Sequence, residues 1–135
     1  MSLSIVFPRI FGGEKKELPW RPMELYVDPA QKTECGILGR DLFDIMIRKS
    51  VPDANDFKRF LDHPEKIPSE WKNSRIGIFF WGEGTLCTYR DRISVPCLYW
   101  DGKVWQKKYF FLENYFDSRH PAAVFVEDGV KRSTV

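Results

Sequence analysis

The sequence predicts a single α+β domain in which short helices pack on one face of a four- to five-stranded antiparallel meander. Two observations predict this class. Helical spacing of apolar residues dominates up to about residue 73, and strand-length apolar runs separated by turn residues follow it. At 135 residues and 43% hydrophobic content, the chain is long enough to bury one core. We expect an extended arm at 1–27, a helical layer at 28–73, an antiparallel sheet at 74–127 and a tail at 128–135.

Two helices are predicted within the helical layer, with shorter helical turns before and after them. Asp28 is placed as the N-cap of a short helical turn that begins with "PAQ". Asp53 is placed as the N-cap of the second helix, "ANDFKRFLD". The sequence "IPSEWK" indicates one more helical turn that ends on Trp71. The expected apolar stripes of the two helices are Leu42, Ile45 and Met46, and Phe57, Phe60 and Leu61.

A strand buried on both faces is predicted at residues 75–81, "RIGIFFW", because its apolar run is almost continuous. Pro96 lies inside another predicted strand and has no amide proton to donate. We therefore expect that strand to be bulged or to lie locally at an edge. The remaining predicted strands cover residues 85–90, 93–100, 103–112 and 122–126.

The dipeptide Asp101-Gly102 predicts a hairpin with a two-residue loop, which would place Leu98 opposite Trp105. Successive side chains of each strand point to opposite sides, so the hairpin has two distinct faces. We expect the smaller, more aliphatic face to pack on the helices and the face rich in tryptophan and lysine to be half-exposed. The first face carries Val95, Cys97, Tyr99, Val104, Phe110 and Leu112, and the second carries Leu98, Trp100, Lys103, Trp105, Lys107, Tyr109 and Phe111.

The leading functional hypothesis is a non-enzymatic binding or protein-interaction module that uses the second face. Aromatic and basic groups share this predicted face, and such groups are typical of binding surfaces. The alternative is that this face forms a second small core under residues 113–121. We expect a protein or a small polar ligand as partner, with a homodimer through a sheet edge or the aromatic face as another option. The predicted surface comprises Arg90, Arg92, Trp100, Trp105, Lys107 and Tyr109.

A small enzyme is the competing class, with Asp117 orienting His120 for acid–base chemistry and Tyr115 or Arg119 nearby. The turn "WGEGT" lacks both the serine of a nucleophile elbow and the Lys-Ser/Thr of a phosphate-binding loop. Two distant histidines and scattered carboxylates give no metal-ligand spacing. The sequence thus predicts no metal and no cofactor.

Binding of single-stranded nucleic acid is a further alternative. The run "YRDRIS" at residues 89–94, together with Lys103, Lys107 and Lys108, forms the best basic and aromatic patch. The net charge of +2 and the pI near 8.4 argue against a dedicated nucleic-acid binder.

A cytoplasmic location is predicted, without membrane association. No apolar run reaches the roughly 18 residues that a bilayer span needs. The three cysteines, Cys35, Cys87 and Cys97, have no metal-ligand spacing, and we expect reduced, buried side chains, with a Cys87–Cys97 disulfide as the alternative.

Residues 57–126 resemble a group of short uncharacterised bacterial proteins. In that group a "PxxW" helix end leads into an aromatic meander, a "YLYWDG…W" hairpin and a "PAAV" terminal strand. The corresponding segments of this chain are "IPSEW", "CLYWDGKVW" and "HPAAV". The chain has Phe116 where a Trp-containing aromatic–acid pair is expected. The resemblance implies the antiparallel meander and no activity, cofactor or partner.

Overall fold

The computed structural model describes residues 19–126, and this part of the chain contains eight strands and two α-helices. The first part of the predicted arm, residues 1–18, and the predicted tail, 128–135, lie outside the described residues. Single 3₁₀ turns occupy Pro29–Lys32, Pro64–Lys66 and Ser69–Trp71. The elements are β1 (Met23–Tyr26), β2 (Ile37–Leu38), α1 (Gly39–Met46), α2 (Ala54–Asp62), β3 (Gly77–Phe79), β4 (Cys87–Tyr89), β5 (Arg92–Trp100), β6 (Trp105–Phe111), β7 (Tyr115–Phe116) and β8 (Ala122–Phe125).

Both predicted N-caps are confirmed. Asp28 accepts a hydrogen bond from the backbone N–H of Ala30, and Asp53 accepts one from the N–H of Asp56. Each cap is completed by a side chain that reaches back to the cap residue, so both segments start at a defined position. The α2 stripe is correct for its two phenylalanines, whereas Leu61 remains 37% exposed.

The main sheet has six strands, in the order β1-β8-β3-β5-β4, with β6 paired to the other edge of β5. Its pairs are antiparallel except for a short parallel contact between β3 and β8. The predicted α+β class is confirmed. The strand order departs from a simple meander, because β8 is inserted between β3 and the arm strand β1.

Pro96 lies in the middle of β5 and is nonetheless fully buried. Its carbonyl accepts from the N–H of Phe80, just beyond the end of β3. Along this edge β3 pairs with residues 97–99 and β4 pairs with residues 92–94. The proline therefore occupies the gap between two short strands, where a missing amide proton breaks no ladder bond.

The sheet is covered by helices on both faces, and the expectation of a single helical face is wrong. Successive residues of a strand point to opposite faces. Phe79 and Trp81 pack with Leu42 and Met46 of α1 in one core. Phe80 and its neighbour Ile78 pack with the α2 phenylalanines in the other. The apolar run around β3 is buried on both sides as predicted, and this is why a single helical layer does not suffice.

The hairpin between β5 and β6 has a longer loop than predicted. Trp100 pairs with Trp105, so residues 101–104 form the loop. The carboxylate of Asp101 accepts from the N–H groups of Lys103 and Val104 at 2.8 and 2.9 Å. These bonds, with one from Gln106, hold the pKa of Asp101 below its usual range, the bond from Val104 contributing most. The register moves by two residues, so the side chains of the paired strands keep their predicted faces. Val104 is the exception: it was expected on the aliphatic face, but it lies in the loop and is 54% exposed.

The two-residue turn of the sheet lies instead between β4 and β5. Tyr89 pairs with Arg92, and the intervening Arg90 and Asp91 both have positive φ angles, of 53° and 64°. A type I′ turn requires this conformation at both positions, and asparagine, aspartate or glycine usually supplies it. The sequence signal was weak because neither residue is a glycine.

Residues 113–121 cover the face that bears α1, not the tryptophan-rich face. Within this stretch β7 pairs with β2, a two-stranded sheet that the sequence did not predict. Gly39 permits the approach, because an added Cβ there would lie 2.7 Å from the Leu112 carbonyl oxygen. Phe116 is consequently buried in the core beside α1. The second core therefore lies under α2 rather than under this loop.

All three cysteines are free. Cys97 is buried, as expected, whereas Cys35 and Cys87 are exposed. Cys87 faces Ser94 across the β4–β5 ladder, so the strand register separates it from Cys97.

Candidate functional site

The predicted binding residues fall into two separate places. Arg92 and Trp100 are the first and last residues of β5, and a strand that rises about 3.3 Å per residue separates them by roughly 26 Å. Arg90 lies in the turn beyond Arg92. The two arginines are therefore not neighbours of the paired tryptophans.

The tryptophans themselves meet as a cross-strand pair. The ring centroids of Trp100 and Trp105 are 5.3 Å apart at an angle of 61°, and both side chains are half-buried. A groove of about 330 Å³ runs between this pair and the α2 C-terminal region at residues 60–67. Phe60 and Leu98 contribute to its apolar lining. We call this concavity the tryptophan groove.

The charged residues of the tryptophan groove are mostly basic. Lys72 and Lys103 line it together with one acid, Glu65. The Nζ atom of Lys72 is 4.6 Å from the centre of a Trp100 ring. Farther along the same face of β6, Lys107 lies 5.6 Å from the ring of Tyr109, which is 45% exposed. The structure thus brings four of the six predicted surface residues to one side of the hairpin.

The remaining predicted cations also stand over aromatic rings. The guanidinium of Arg92 is 3.7 Å from the ring centre of Phe111, and that of Arg90 is 5.2 Å from that of Tyr89. A cation in this position is attracted to the ring face and covers part of it. These ring faces are accordingly less available to stack on nucleobases.

Asp117 and His120 lie together in one tight turn before β8. The backbone N–H of Asp117 donates to Nδ1 of His120 at 3.0 Å. The backbone N–H of His120 in turn donates to the Asp117 carbonyl at 2.9 Å. Carboxylate oxygen Oδ1 of Asp117 is 3.1 Å from Nδ1. The structure therefore brings the predicted pair into contact, and the hydrogen bond at Nδ1 comes from the Asp117 backbone N–H.

Gln31, from the 3₁₀ turn Pro29–Lys32, fixes this turn. Its amide nitrogen donates to the carbonyls of Asp117 and His120 at 3.0 and 2.9 Å. Gln31 is fully buried, a rare state for a glutamine without partners. Sequence reasoning missed this residue, because its partners lie 86 and 89 residues away along the chain.

The His120 imidazole is enclosed by phenylalanines. Its ring centroid lies 5.6 Å from that of Phe79, 5.2 Å from that of Phe110 and 5.5 Å from that of Phe116. Only 14% of the side chain is exposed. This burial lowers the pKa of His120 below its ordinary value, against the raising effect of Asp117. The imidazole is consequently neutral at neutral pH.

The hydrogen bond from Asp117 decides which nitrogen of neutral His120 carries the proton. Nδ1 accepts from a backbone N–H and must present its lone pair, so Nε2 holds the hydrogen. A general base acting through Nε2 would need the opposite tautomer. The geometry therefore offers a hydrogen-bond donor at this position rather than a base.

Asp117 is itself engaged by Arg119. Its two carboxylate oxygens accept from Nε and Nη2 of Arg119 at 3.2 and 2.9 Å. These bonds are the main reason that the pKa of Asp117 falls to about 2. Tyr115, the other residue named for an enzymatic site, is 57% exposed on β7.

A second concavity of about 200 Å³ opens beside His120, and we call it the His120 pocket. Cations from three segments line it: Arg75 before β3, Lys108 on β6 and Arg119 in the loop. Cys97 also lines it, but burial raises the pKa of that thiol to about 12, so the thiolate nucleophile is not formed. Sequence reasoning missed this cluster because its members are distant along the chain.

Comparisons of the chain with protein-family models, with curated proteins and with solved structures give no match. Within residues 19–126, no three His, Cys, Asp or Glu side chains are grouped so that they could hold a metal ion. In the same part of the chain, no helix has the length and apolar character needed to cross a bilayer.

Proposed function

We propose that this protein is a non-enzymatic interaction module that binds an extended peptide in the tryptophan groove. The peptide carries one large apolar side chain flanked by acidic residues. The observation that carries the proposal is the half-buried Trp100–Trp105 pair forming one wall of an apolar groove whose cations outnumber its acids.

The shape of the groove supports an apolar anchor. Its lining includes Phe60 and Leu98 beside the tryptophan pair, so an inserted side chain loses its contact with water on several sides. Tryptophans that are partly exposed in such a pocket are typical centres of binding energy. The Nε1–H of Trp105 is buried without an acceptor among the described residues. A carbonyl from a bound peptide that reached this donor would satisfy it.

The charge of the rim supports acidic neighbours for that anchor. Lys72 and Lys103 line the groove, and Lys107 follows on the same face. Within residues 19–126, Glu65 is the one acidic side chain of the lining. Carboxylates in the ligand would face these lysines, which favours encounter and orientation more than raw affinity.

The edge of the sheet supports an extended ligand. Trp105 begins β6, which within residues 19–126 pairs only with β5. Its outer backbone groups are therefore available to a further strand, the mode of recognition known as β-augmentation. The peptide would run beside β6 while its anchor enters the groove.

A second copy of this chain fits the same edge less well. An antiparallel pairing of two β6 strands about their middle residue would place Lys108 opposite its own copy. Like charges that face each other across a ladder destabilise the pairing. An acidic peptide would instead place carboxylates opposite the lysines of β6, which favours the pairing. We therefore favour an acidic peptide over the homodimer.

The proposed module acts in the cytoplasm. The three cysteines remain unpaired, and two of them are exposed, which suits a reducing compartment.

A displayed library of short random peptides, selected against the full chain, tests the proposal. We expect the enriched peptides to carry a large apolar residue next to Asp or Glu. Titrated into isotope-labelled protein, they should shift the indole N–H signals of Trp100 and Trp105. Charge reversal at the rim, Lys103→Glu, should weaken binding about tenfold or more, whereas Lys32→Glu on the distant 3₁₀ turn serves as the matched control.

Three outcomes contradict the proposal: enrichment of basic peptides, shifts confined to residues outside the groove, or equal loss in both charge variants. A thymidine oligonucleotide is included as a separate probe. If it shifts the same indoles and its affinity falls steeply with added salt, single-strand nucleic-acid binding replaces peptide binding.

A further inference from the structure

We propose that the His120 pocket is a second binding site, specific for the carboxylate of a small organic acid. It lies on the face of the hairpin opposite the tryptophan groove, since Tyr99 and Lys108 line the pocket while Trp100 and Lys107 stand on the other side. The inference is therefore independent of peptide binding.

The first support is the position of the proton on the His120 imidazole. Nδ1 of His120 is turned towards Asp117, which does not line the pocket, whereas His120 itself does. The other nitrogen carries the proton, and it has no hydrogen-bond partner among the described residues. Nε2–H is consequently a fixed donor, oriented by the Asp117 amide and by the surrounding phenylalanine rings.

The second support is the sign of the surrounding charge. Among the residues that the structure describes, Arg75, Lys108 and Arg119 line the pocket, and no Asp or Glu does. Asp117 engages Arg119 from outside it, which leaves Arg75 and Lys108 as the unmatched cations of the lining. Lys108 is held over the ring of Tyr99, with Nζ 4.1 Å from the ring centre. Donors and cations converging without an acid select an anion.

The third support is the apolar part of the lining, which favours an organic acid over an inorganic anion. Ile76, Tyr99 and Phe110 line the pocket beside the donors. A carboxylate attached to a compact apolar group would place its charge on the donors and its carbon skeleton on these side chains. The volume of about 200 Å³ admits one ring or a short branched chain rather than a polymer.

Benzoate is the probe that tests this site on the full chain, with benzamide as its uncharged isostere and inorganic phosphate as the purely anionic control. Chemical shifts of the His120 imidazole and of the Tyr99 and Phe110 rings report occupancy. We expect saturable shifts with benzoate and much weaker ones with benzamide and phosphate. Long-range proton–nitrogen spectra should show the proton of free, neutral His120 on Nε2.

A matched pair of variants separates local from general charge effects. Lys107 and Lys108 are adjacent and both exposed, but they point to opposite faces of β6. Removing the charge that lines the pocket, Lys108→Gln, should weaken benzoate binding about tenfold. Lys107→Gln should leave benzoate affinity within about twofold, because that side chain lies on the groove face. Both substitutions are at exposed positions, so we expect the fold to be preserved.

The proposal is overturned if benzoate gives no saturable shift of His120, if benzamide or phosphate binds as well as benzoate, or if the two lysine variants behave alike. A neutral His120 protonated on Nδ1 would overturn it too. Peptide binding is measured at the Trp100 and Trp105 indoles, and benzoate binding is measured at His120. A negative result at one site therefore does not contradict the proposal for the other.

Discussion

The tryptophan groove and the His120 pocket occupy opposite faces of the same hairpin, and they are built from different chemistry. The tryptophan groove is an apolar cleft between the Trp100–Trp105 pair and the C-terminal region of α2. The lysines at its rim contact water. The pocket is a smaller cavity in which the His120 imidazole is fixed by a hydrogen bond from the Asp117 backbone, within a turn held by the buried Gln31. The first suits a flexible ligand with an anchor, whereas the second suits a compact ligand of defined charge.

The difference shows that residue type alone does not define a site. Lys107 and Lys108 are identical and adjacent in the sequence. The pleat directs one beside Tyr109 on the groove face and the other over Tyr99 at the pocket. Their expected functions differ because their neighbours across the ladder differ.

The largest predicted effect tests whether both faces are supported by genuine cores. Phe79 packs under the pocket face and Phe80 under the groove face, and both are fully buried. We expect Phe79→Ala and Phe80→Ala each to lower the free energy of unfolding by about 3–5 kcal/mol. Urea denaturation measures the loss, and Phe→Leu substitutions give the same comparison if the alanine variants do not fold. A negligible loss for Phe80→Ala would mean that α2 does not cover a core.

A smaller effect is predicted for Trp105, and its size decides whether the groove is a surface. The side chain packs against the core beneath α2 yet remains half-buried. Trp105→Ala should therefore cost about 1–2 kcal/mol, less than the loss at a fully buried aromatic. Tyr109→Ala on the same face, 45% exposed, should change stability by about 0.5 kcal/mol or less. A loss of about 3 kcal/mol or more at Trp105 would assign it to the core and remove the main support for the groove.

The third and smallest predicted effect is a loss of folding stability as the pH falls, and it should arise from groups on the pocket face. Burial holds the pKa of folded His120 below its ordinary value of 6.5, so the unfolded chain binds this proton first as the pH falls. Stability contributed by the neutral imidazole is complete above about pH 6.5 and declines below it. Asp117 contributes at lower pH, since its pKa shifts from 3.8 to about 2 and its stabilisation is lost as the pH falls through that interval.

Urea midpoints between about pH 7.5 and pH 5 measure the histidine effect. The slope should vanish in His120→Gln and persist in His63→Gln, the matched control at the other histidine. Direct titration of the His120 ring protons gives the same information if the first variant fails to fold. A folded-state pKa at or above 6.5 would contradict the inferred burial of the neutral ring.

Much of the local structure was predictable because its causes lie within a few residues. The caps at Asp28 and Asp53 are local hydrogen bonds, and the Leu42–Met46 contact surface follows from helical periodicity. Alternation also assigned the correct face to the paired side chains of the hairpin, although the loop length was wrong and Val104 lies in the loop. An error of two residues leaves faces unchanged, whereas an error of one would have inverted them.

The sites were only partly predictable because each combines elements that are distant along the chain. Aromatic and basic alternation located Trp100, Trp105, Lys107 and Tyr109 on one face. Nothing in the sequence showed that α2 would lie beside this face and turn it into a groove. The pair Asp117 and His120 was proposed from proximity, but the proton position depends on a backbone N–H that only the folded loop supplies.

The sequence by itself determined the α+β class, the caps at Asp28 and Asp53, the doubly buried strand around β3 and the division of the hairpin into two faces. The tertiary structure alone decided that the helices cover both faces, that β8 enters the sheet beside β3, and that Arg75, Lys108 and His120 converge. The physical reason is the range of the interactions. Periodicity and capping act within a few residues, whereas packing and charge convergence arise only when distant segments exclude water together.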